Sequence, residues 1–338
     1  MIETISRDRL IELLEAGAAK RIAIIGDAML DVYLRGDVDR ISPEAPVPVV
    51  RIRDKELALG GAANVAQNVS AIGAQCDLVC AVGEDAEGQV IKAMLRDIGS
   101  EARSIVTVGR RTTTKTRVLA RSQQVVRFDE EEDADITGEE VEYLLNAALR
   151  AVDNSDAMVL EDYNKGVLTP ALISPAMQQA TSRGIPIVVD PKYRNFFAYK
   201  GATIFKPNRR ELESALGAAV DIDHAEALPE SIKRLGVENL LLTLGEEGMA
   251  LIDADGEVGR VPTTAHEVYD VVGAGDTVTA YLATMLAAGA TPAEAAVIAN
   301  FAAGVEVAKL GAATVSIDEV IEAYDLFSAA GTADAPIA

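Results

Sequence analysis

The stretch Asp270-Val271-Val272-Gly273-Ala274-Gly275-Asp276-Thr277 leads directly into the apolar residues 278–288. Small residues at positions 273–275 allow a sharp backbone turn where a helix begins. The first N–H groups of a helix lack intrahelical acceptors, and the helix dipole makes that end attractive to an anion such as phosphate. Asp276 falls in the first turn, beside this cradle. The pattern favours an enzyme that transfers a phosphoryl group to a hydroxyl, with a simple helix cap as the alternative.

The length and composition indicate a folded α/β protein. The chain has 338 residues, of which 49% are hydrophobic, enough to bury a sizeable core. No apolar run approaches the ~20 residues of a membrane-spanning helix. Residues 1–21 mix charged and apolar side chains, which predicts a short amphipathic helix and not a signal peptide. We therefore expect a soluble cytoplasmic protein with no membrane partner.

The formal net charge of −22 limits the possible partners. Nothing in the sequence resembles a basic stripe, so a nucleic-acid partner is not expected. The same negative field repels anionic substrates, and local lysines and arginines must overcome it. Cys76 and Cys80 lie in one apolar run that predicts a buried strand, four residues apart and too far for a disulfide. We expect both to be buried free thiols.

Predicted strands alternate with predicted helices along most of the chain. Residues 21–26 form an apolar run that ends in Gly-Asp, which is typical of a buried parallel strand. Helices are predicted over residues 139–152, 170–182, 209–216, 226–235, 276–288, 292–309 and 318–327. This alternation predicts a doubly wound, mostly parallel sheet.

Three segments do not fit the alternation. Short strands over residues 31–35 and 47–53 and a hairpin over 112–128 predict a small antiparallel flap. We expect one domain over 1–338, with lid segments at about 31–57 and 110–130 inserted in it. Residues 329–338 are predicted to be a frayed tail.

Two motifs about two hundred residues apart carry a family resemblance. Gly60-Gly61-Ala62-Ala63-Asn64 and the 270–276 segment resemble the paired motifs of the ribokinase-like (PfkB) carbohydrate kinases. Asn208-Arg209-Arg210-Glu211 supplies the family's Asn-x-x-Glu element, and the resemblance covers about 21–325. It implies a ribokinase-like fold and a kinase that uses ATP and Mg²⁺. A monovalent cation such as K⁺ is a further implication.

Further segments resemble one branch of this family. Residues 41–50 (ISPEAPVPVV), 114–117 (TKTR) and 190–192 (DPK) resemble kinases that phosphorylate D-glycero-β-D-manno-heptose 7-phosphate at O1, toward ADP-heptose and the lipopolysaccharide core. Many such proteins carry a following nucleotidyltransferase domain, for which this chain is too short, so we expect a stand-alone kinase. Two alternatives stay open: another PfkB kinase acting on a simple sugar or nucleoside, and a non-catalytic sugar-phosphate sensor.

The resemblance implies roles for the catalytic and nucleotide-binding residues. Asp276 would be the general base, and the backbone of Gly273, Ala274 and Gly275 would stabilise the transferred group. Glu211 would hold Mg²⁺ through water, and Asp270 would lie near the monovalent cation. The implied nucleotide contacts are Asn208, Arg209, Arg210, Glu211, Thr243, Gly245, Glu246, Gly248, Asn300 and Gly304.

The remaining candidates concern the sugar phosphate and the assembly. Asp31, Gly60, Gly61 and Asn64 would hold sugar hydroxyls, although Asn64 could instead cap a helix. The candidates for the anionic end of the sugar and its surroundings are Lys115, Arg117, Arg121, Asp162, Lys165 and Lys192. Because the flap leaves open strand edges, we expect a homodimer joined through the flaps.

Overall fold

The computed structural model describes residues 5–100, 104–121, 123–222, 233–265 and 267–333. The strands are β1 (Arg21–Gly26), β2 (Ala28–Ile41), β3 (Pro48–Gly61), β4 (Gln75–Gly83), β5 (Ile105–Val108), β6 (Thr114–Ala120), β7 (Gln123–Glu130), β8 (Ala157–Glu161), β9 (Ile187–Asp190), β10 (Ile204–Phe205), β11 (Asn239–Thr243), β12 (Met249–Asp253) and β13 (Val258–Val261). The helices are α1 (Arg7–Ala18), α2 (Ala62–Ala71), α3 (Ala86–Asp97), α4 (Glu139–Asp153), α5 (Pro170–Arg183), α6 (Arg209–Leu216), α7 (Ala274–Ala287), α8 (Pro292–Glu306) and α9 (Ile317–Ala333).

The main sheet has nine strands in the order β13-β12-β11-β10-β9-β8-β1-β4-β5. The seven strands from β11 to β5 run parallel, and only β12 runs against its neighbours. Helices cover both faces, so the doubly wound, mostly parallel fold predicted from the alternation is confirmed. All parallel strands therefore end at one edge of the sheet, where ligands bind in folds of this kind.

The core lies in two layers, one on each face of the sheet. In β1, Ile22 and Ile24 pack toward one layer while Ala23 and Ile25 pack toward the other, because successive side chains alternate across a strand. The first layer buries α1, α2, α7 and α8, and the second buries α4 and α5. Since β1 is buried on both faces, its sequence is a continuous apolar run.

A second sheet of four strands, in the order β3-β2-β6-β7, forms the lid. Its outer pairs are antiparallel, and its central pair, β2 with β6, is parallel. The prediction of short strands here is wrong, since β2 and β3 each span 14 residues. They pair from Ala28 and Gly61 out to Ile41 and Pro48. Backbone pairing continues through the charged outer half, where the side chains are exposed and show no burial pattern.

The C-terminal part differs from prediction in its boundaries. The last helix continues through Ala333, so residues 329–333 of the predicted frayed tail are helical. Residues 334–338, and most of the helix predicted over 226–235, lie outside the described residues. Cys76 and Cys80 are buried free thiols, as expected. Among the described helices, none combines the length and apolarity needed to cross a bilayer.

Strands β1 and β8 approach each other so closely at their ends that Gly26 has no room for a side chain. A Cβ at position 26 would lie 2.1 Å from the carbonyl oxygen of Glu161. We expect Gly26→Ala to lower the free energy of unfolding by about 3 kcal/mol through overpacking. Gly109→Ala is the matched control, since no atom lies within 4 Å of the Cβ that this substitution would add. Urea unfolding measures both, and equal stabilities of the two variants would contradict this packing.

Candidate active site

Four ionisable residues lie at the carboxyl edge of the main sheet. Asp27 directly follows β1, Glu161 ends β8, Asp190 ends β9 and Lys206 directly follows β10. All four are buried. Adjacent parallel strands bring them together although they are spread over 180 positions of the chain. The N-terminus of α7 faces this cluster, because Asp276 in its first turn interacts with Asp190 and Lys206.

The N-terminus of α7 has the shape of an anion cradle. Gly273 precedes the helix with a φ of 98°, a conformation that favours glycine, and no side chain caps the helix. A Cβ on Gly273 would lie 3.1 Å from the side-chain nitrogen of Asn64 and 3.1 Å from a carboxylate oxygen of Glu306. The turn therefore requires glycine both for its φ and for its space. It leaves the first N–H groups of α7 available to an anion.

Asp276 is held between two neutral donors from distant segments. The side-chain amide of Asn64 donates to Oδ2 at 2.8 Å, and the hydroxyl of Tyr163 donates to Oδ1 at 2.8 Å. Only 3% of Asp276 is exposed. Burial raises the pKa of this carboxyl to about 6, although the bonds from Asn64 and Tyr163 oppose that shift. Asp276 is thus an acid that ionises close to neutral pH, as a general base requires.

The loop that carries Tyr163 is fixed by Asp27. Its carboxylate accepts backbone N–H bonds from Tyr163 and Lys165 at 2.9 Å each and from Val167 at 3.1 Å. A buried carboxylate that accepts several backbone N–H groups stabilises the loop that supplies them. The end of β1 therefore sets the place of a side chain that contacts the base.

The acidic cluster contains its own cation. One oxygen each from Glu161, Asp190 and Asp276 lie within 4.8 Å of one another, a spacing that a metal ion could use. The ammonium of Lys206 lies 2.7 Å from Asp190, and the surrounding carboxylates raise the pKa of Lys206 against the lowering effect of burial. Burial, followed by the nearby Asp190 and Asp276, raises the pKa of Glu161 well above its usual value. Both oxygens of Glu161 lack a hydrogen-bond partner among the described residues.

A cavity of about 600 Å³ opens beside the cradle. Seven of the ten predicted nucleotide contacts line it, together with Ala274 and Gly275 of the cradle: Asn208, Thr243, Gly245, Glu246, Gly248, Asn300 and Gly304. Its walls also include apolar side chains from Val268, Val271 and Val278. An apolar cavity that ends at an anion cradle matches a base linked to a phosphate chain.

Two of the other nucleotide candidates, Arg209 and Glu211, make contacts within the protein. Asn208 and Glu211 form a reciprocal capping box at the start of α6, and Glu211 also pairs with Lys192. Arg209 pairs with Glu247 at 3.2 Å, while Arg210 is exposed. Asn208 lines the cavity, whereas Arg209, Arg210 and Glu211 do not.

The sugar candidates surround Asp276 and the inner end of the lid. Asp31 in β2 forms a buried ion pair with Arg117 in β6. A Cβ on Gly60 would lie 2.4 Å from Asp31 Oδ2, so only glycine fits beside that carboxylate. Asn64 lies in the first turn of α2, where Gly61 is the N-cap residue, and its side chain binds Asp276. The alternative reading of Asn64 as a helix cap is therefore wrong.

The predicted cations differ in their partners. Lys165 pairs with Glu131 at 2.8 Å, Lys192 pairs with Glu211, and Arg117 pairs with Asp31. Within the described residues, Lys115 forms no ion pair and lies over the ring of Tyr163 at 5.1 Å. Burial lowers the pKa of Lys115, and an anionic ligand beside it would raise that pKa again by stabilising the ammonium.

Two of the predicted sugar-phosphate residues are not in the cleft. Arg121 is exposed in the turn between β6 and β7, with a φ of 56°. It lies six residues along the lid from Lys115, a distance of about 20 Å at strand spacing. The Asp162 side chain is turned into its own loop, where it accepts bonds from the Asn164 N–H at 2.8 Å and the Tyr199 hydroxyl at 2.6 Å.

Sequence reasoning assigned no role to several residues of this site. They are Asp27, Glu161, Tyr163, Asp190, Lys206 and Glu306. Four of them end or directly follow a buried strand, which is a signal that the sequence contains. Tyr163 and Glu306 have no comparable local signal, because their importance comes from contacts across the fold.

The fold and the site together are those of a phosphotransferase: a doubly wound sheet, a lid, an anion cradle and a buried carboxylate beside it. The sequence profile of the pfkB family of carbohydrate kinases matches residues 19–319. The chain belongs to this family and is a carbohydrate kinase.

Two relatives match most of this chain. The chain is 43% identical over 317 residues to the bifunctional protein HldE of Trichlorobacter lovleyi, a match that covers 93% of this chain and 65% of that protein. It is 45% identical over 303 residues to the bifunctional protein HldE of Shewanella piezotolerans, a match that covers 89% of this chain and 63% of that protein. The chain thus spans less than two thirds of these relatives' length.

The solved structures show the same fold at lower identity. Phosphofructokinase-2 from Escherichia coli in complex with potassium superposes with a TM-score of 0.74 at 20% identity, over 92% of this chain and 99% of the other. Ribokinase from Arabidopsis thaliana complexed with ribose and ATP superposes with a TM-score of 0.72 at 20% identity, over 90% and 98%.

The raised pKa of Asp276 predicts that the pH profile of kcat/KM has an acid limb. A general base acts only when deprotonated, so kcat/KM should fall as the pH falls through about 6. We expect kcat/KM at pH 5 to be about ten-fold below its value at pH 8. Steady-state assays across this range test the limb, with circular dichroism at each pH as the control for folding. A flat profile would contradict the assignment of Asp276 as the base.

Proposed function

We propose that this kinase transfers the γ-phosphoryl group of ATP to O1 of D-glycero-β-D-manno-heptose 7-phosphate. The product would be the 1,7-bisphosphate, on the route to ADP-heptose and the lipopolysaccharide core. The observation that carries the proposal is the position of Asp276, buried in the first turn of α7, between a nucleotide-sized cavity and the inner end of the lid. A single domain with an inserted lid would perform the reaction.

The reaction requires one proton transfer and one phosphoryl transfer. Asp276 accepts the proton of the O1 hydroxyl while O1 attacks the γ-phosphorus. The bond from that phosphorus to the oxygen shared with the β-phosphate breaks, and ADP leaves with the electron pair. The N–H groups of Ala274 and Gly275 stabilise the negative charge on the transferred group, where much of the catalysis of phosphoryl transfer arises.

The chain's own residues fit ATP and Mg²⁺. Asn300 and Gly304 of the cavity wall would contact the base and ribose, and Gly275 of the cradle would contact the phosphates. Glu211, fixed by Lys192 and by the N–H of Asn208, presents a carboxylate suited to a water-mediated contact with a hard cation. When bound, Mg²⁺ neutralises phosphate charge.

Lys115 is the strongest candidate for the phosphate of the sugar. Its ammonium is partly buried and unpaired within the described residues, and it faces the same tyrosine ring whose hydroxyl contacts Asp276. This placement matches a substrate that carries a phosphate at the end opposite its reacting hydroxyl. The motifs at residues 41–50, 114–117 and 190–192 and the relatives described above support the heptose in particular.

We extend the proposal to a monovalent cation, K⁺, beside Asp270. The oxygens of Asp270 accept N–H bonds from Val272 at 3.0 Å and Gly311 at 3.2 Å. The nearby Glu306 is buried, and neither of its oxygens has a partner among the described residues. Buried unpaired carboxylate oxygens are the donor type that a cation would use.

We also propose a cytoplasmic homodimer joined through the lid. The reaction consumes ATP, which the cytoplasm supplies. On the edge strand β7, Val126 and Phe128 are 48% and 47% exposed, and both lie on one face of the strand. Apolar side chains on an open strand edge are typical of a surface that pairs.

The enzymatic proposal is tested with an acceptor panel. We expect ATP-dependent phosphorylation of D-glycero-β-D-manno-heptose 7-phosphate at O1, with much lower kcat/KM for fructose, ribose and adenosine. Asp276→Asn should lower kcat at least a hundred-fold with the fold intact, because the amide cannot accept the proton. Coupled ADP release and ³¹P NMR measure rate and product. Preference for an unphosphorylated acceptor, or near-normal turnover by the variant, would overturn the proposal.

The dimer is tested by charge substitution on the lid. Val126→Asp combined with Phe128→Asp should convert the dimer to a monomer, because burying two carboxylates in an apolar interface is costly. Tyr143→Asp is the matched control, since Tyr143 is a 61% exposed aromatic side chain on α4, away from the lid. Light scattering after size-exclusion chromatography measures the mass. A wild-type monomer, or a dimer that survives the double substitution, would contradict the proposal.

A further inference from the structure

Tyr163 lies between two cations and the candidate base. Its ring has the ammonium of Lys115 at 5.1 Å and that of Lys192 at 5.2 Å, both within cation–π distance. Its hydroxyl donates to Oδ1 of Asp276 at 2.8 Å. Lys115 belongs to the lid, and Lys192 pairs with Glu211. One side chain thus contacts the lid, the base and the lysine that holds Glu211.

The hydroxyl of Tyr163 makes one of the two side-chain hydrogen bonds that stabilise the carboxylate of Asp276 within the described residues. The groups that face or influence Asp276 from the neighbouring elements are Asn64, Glu161, Tyr163, Asp190, Lys206 and Glu306. Lys206 is the only cation among them, and it is paired with Asp190. The bonds from Asn64 and Tyr163 are therefore the direct polar contacts that fix the carboxylate of Asp276 within the described part of the chain.

We propose that Tyr163 is a positioning residue with two separable tasks: its hydroxyl orients the carboxylate of Asp276, and its ring holds Lys115 at the sugar phosphate and Lys192 beside Glu211. The inference rests on the proposed function of Asp276 as the base. The ring attracts both ammonium groups, because its π system is negative on its faces and both cations lie within cation–π distance. Because Lys115 of the lid lies over this ring, the same side chain that orients the base also holds the cation for the substrate.

The two tasks can be separated by substitution. Tyr163→Phe removes the hydroxyl and keeps the ring, so kcat should fall about ten-fold while KM for the sugar phosphate stays near the wild-type value. Tyr163→Leu removes both, so KM for the sugar phosphate should also rise about ten-fold. A merely structural tyrosine would not split kcat and KM between the two variants.

The matched control is Tyr199→Phe. Tyr199, which is more buried than Tyr163, donates to an aspartate in the same way, to Oδ2 of Asp162 at 2.6 Å, but it does not contact Asp276. We expect this variant to lose stability and to keep kcat within about two-fold of wild type. It separates the loss of a buried tyrosine–aspartate bond from the loss of orientation at the base.

A second readout needs no substrate. In protein labelled with ¹³C at the aspartate carboxyl, the signal of Asp276 is identified by its absence in Asp276→Asn. Because the Tyr163 bond lowers the pKa of Asp276, its titration midpoint should move to higher pH in Tyr163→Phe and stay in place in Tyr199→Phe.

The outcomes distinguish the inference from the proposed function. If the wild type phosphorylates its acceptor and Tyr163→Phe keeps the wild-type kcat and titration midpoint, the inference is overturned and the function stands. If the wild type phosphorylates no acceptor, the proposed function fails, and the titration alone decides whether Tyr163 orients Asp276. If Tyr163→Leu does not fold, Tyr163→Phe decides through kcat and the titration.

Discussion

The carboxylate of Asp276 depends on three segments that meet at one point. Helix α2 supplies Asn64, the loop after β8 supplies Tyr163, and α7 supplies the acid itself. A buried carboxylate is stable only where donors compensate for its lost hydration. The sheet fixes these donors, because Asp27 at the end of β1 anchors the Tyr163 loop. The fold thus determines the position and the hydrogen bonds of the Asp276 carboxylate.

The charge distribution explains how so acidic a protein handles anions. The net charge of −22 repels nucleotides and sugar phosphates at long range. The cations that matter are held inside the site, where screening by salt is weak. Lys206 neutralises part of the carboxylate cluster, Lys192 fixes Glu211, and Lys115 remains without an ion pair within the described residues. Local placement of a few cations offsets the field of the whole molecule.

The sequence predicted the fold and the glycine-rich turns because these depend on local patterns. The apolar run of β1 and the turn at Gly273 are recognisable from neighbouring residues alone. The length of β2 was not predictable, since its charged outer half pairs through backbone groups. Tyr163 was missed because its bond to Asp276 spans 113 positions and depends on which strands become neighbours. The structure does not bring Arg121 to Lys115, because the charge pattern of a lid segment does not reveal the distance along a strand.

The most direct test of this account is a crystal structure with a non-hydrolysable ATP analogue and the sugar phosphate bound together. We predict an oxygen of Asp276 within about 3.2 Å of the acceptor hydroxyl, which lies in line with the γ-phosphorus at the N-terminus of α7. A complex in which both ligands are bound and the acceptor hydroxyl lies beyond hydrogen-bond reach of Asp276, with another side chain in its place, would contradict the account.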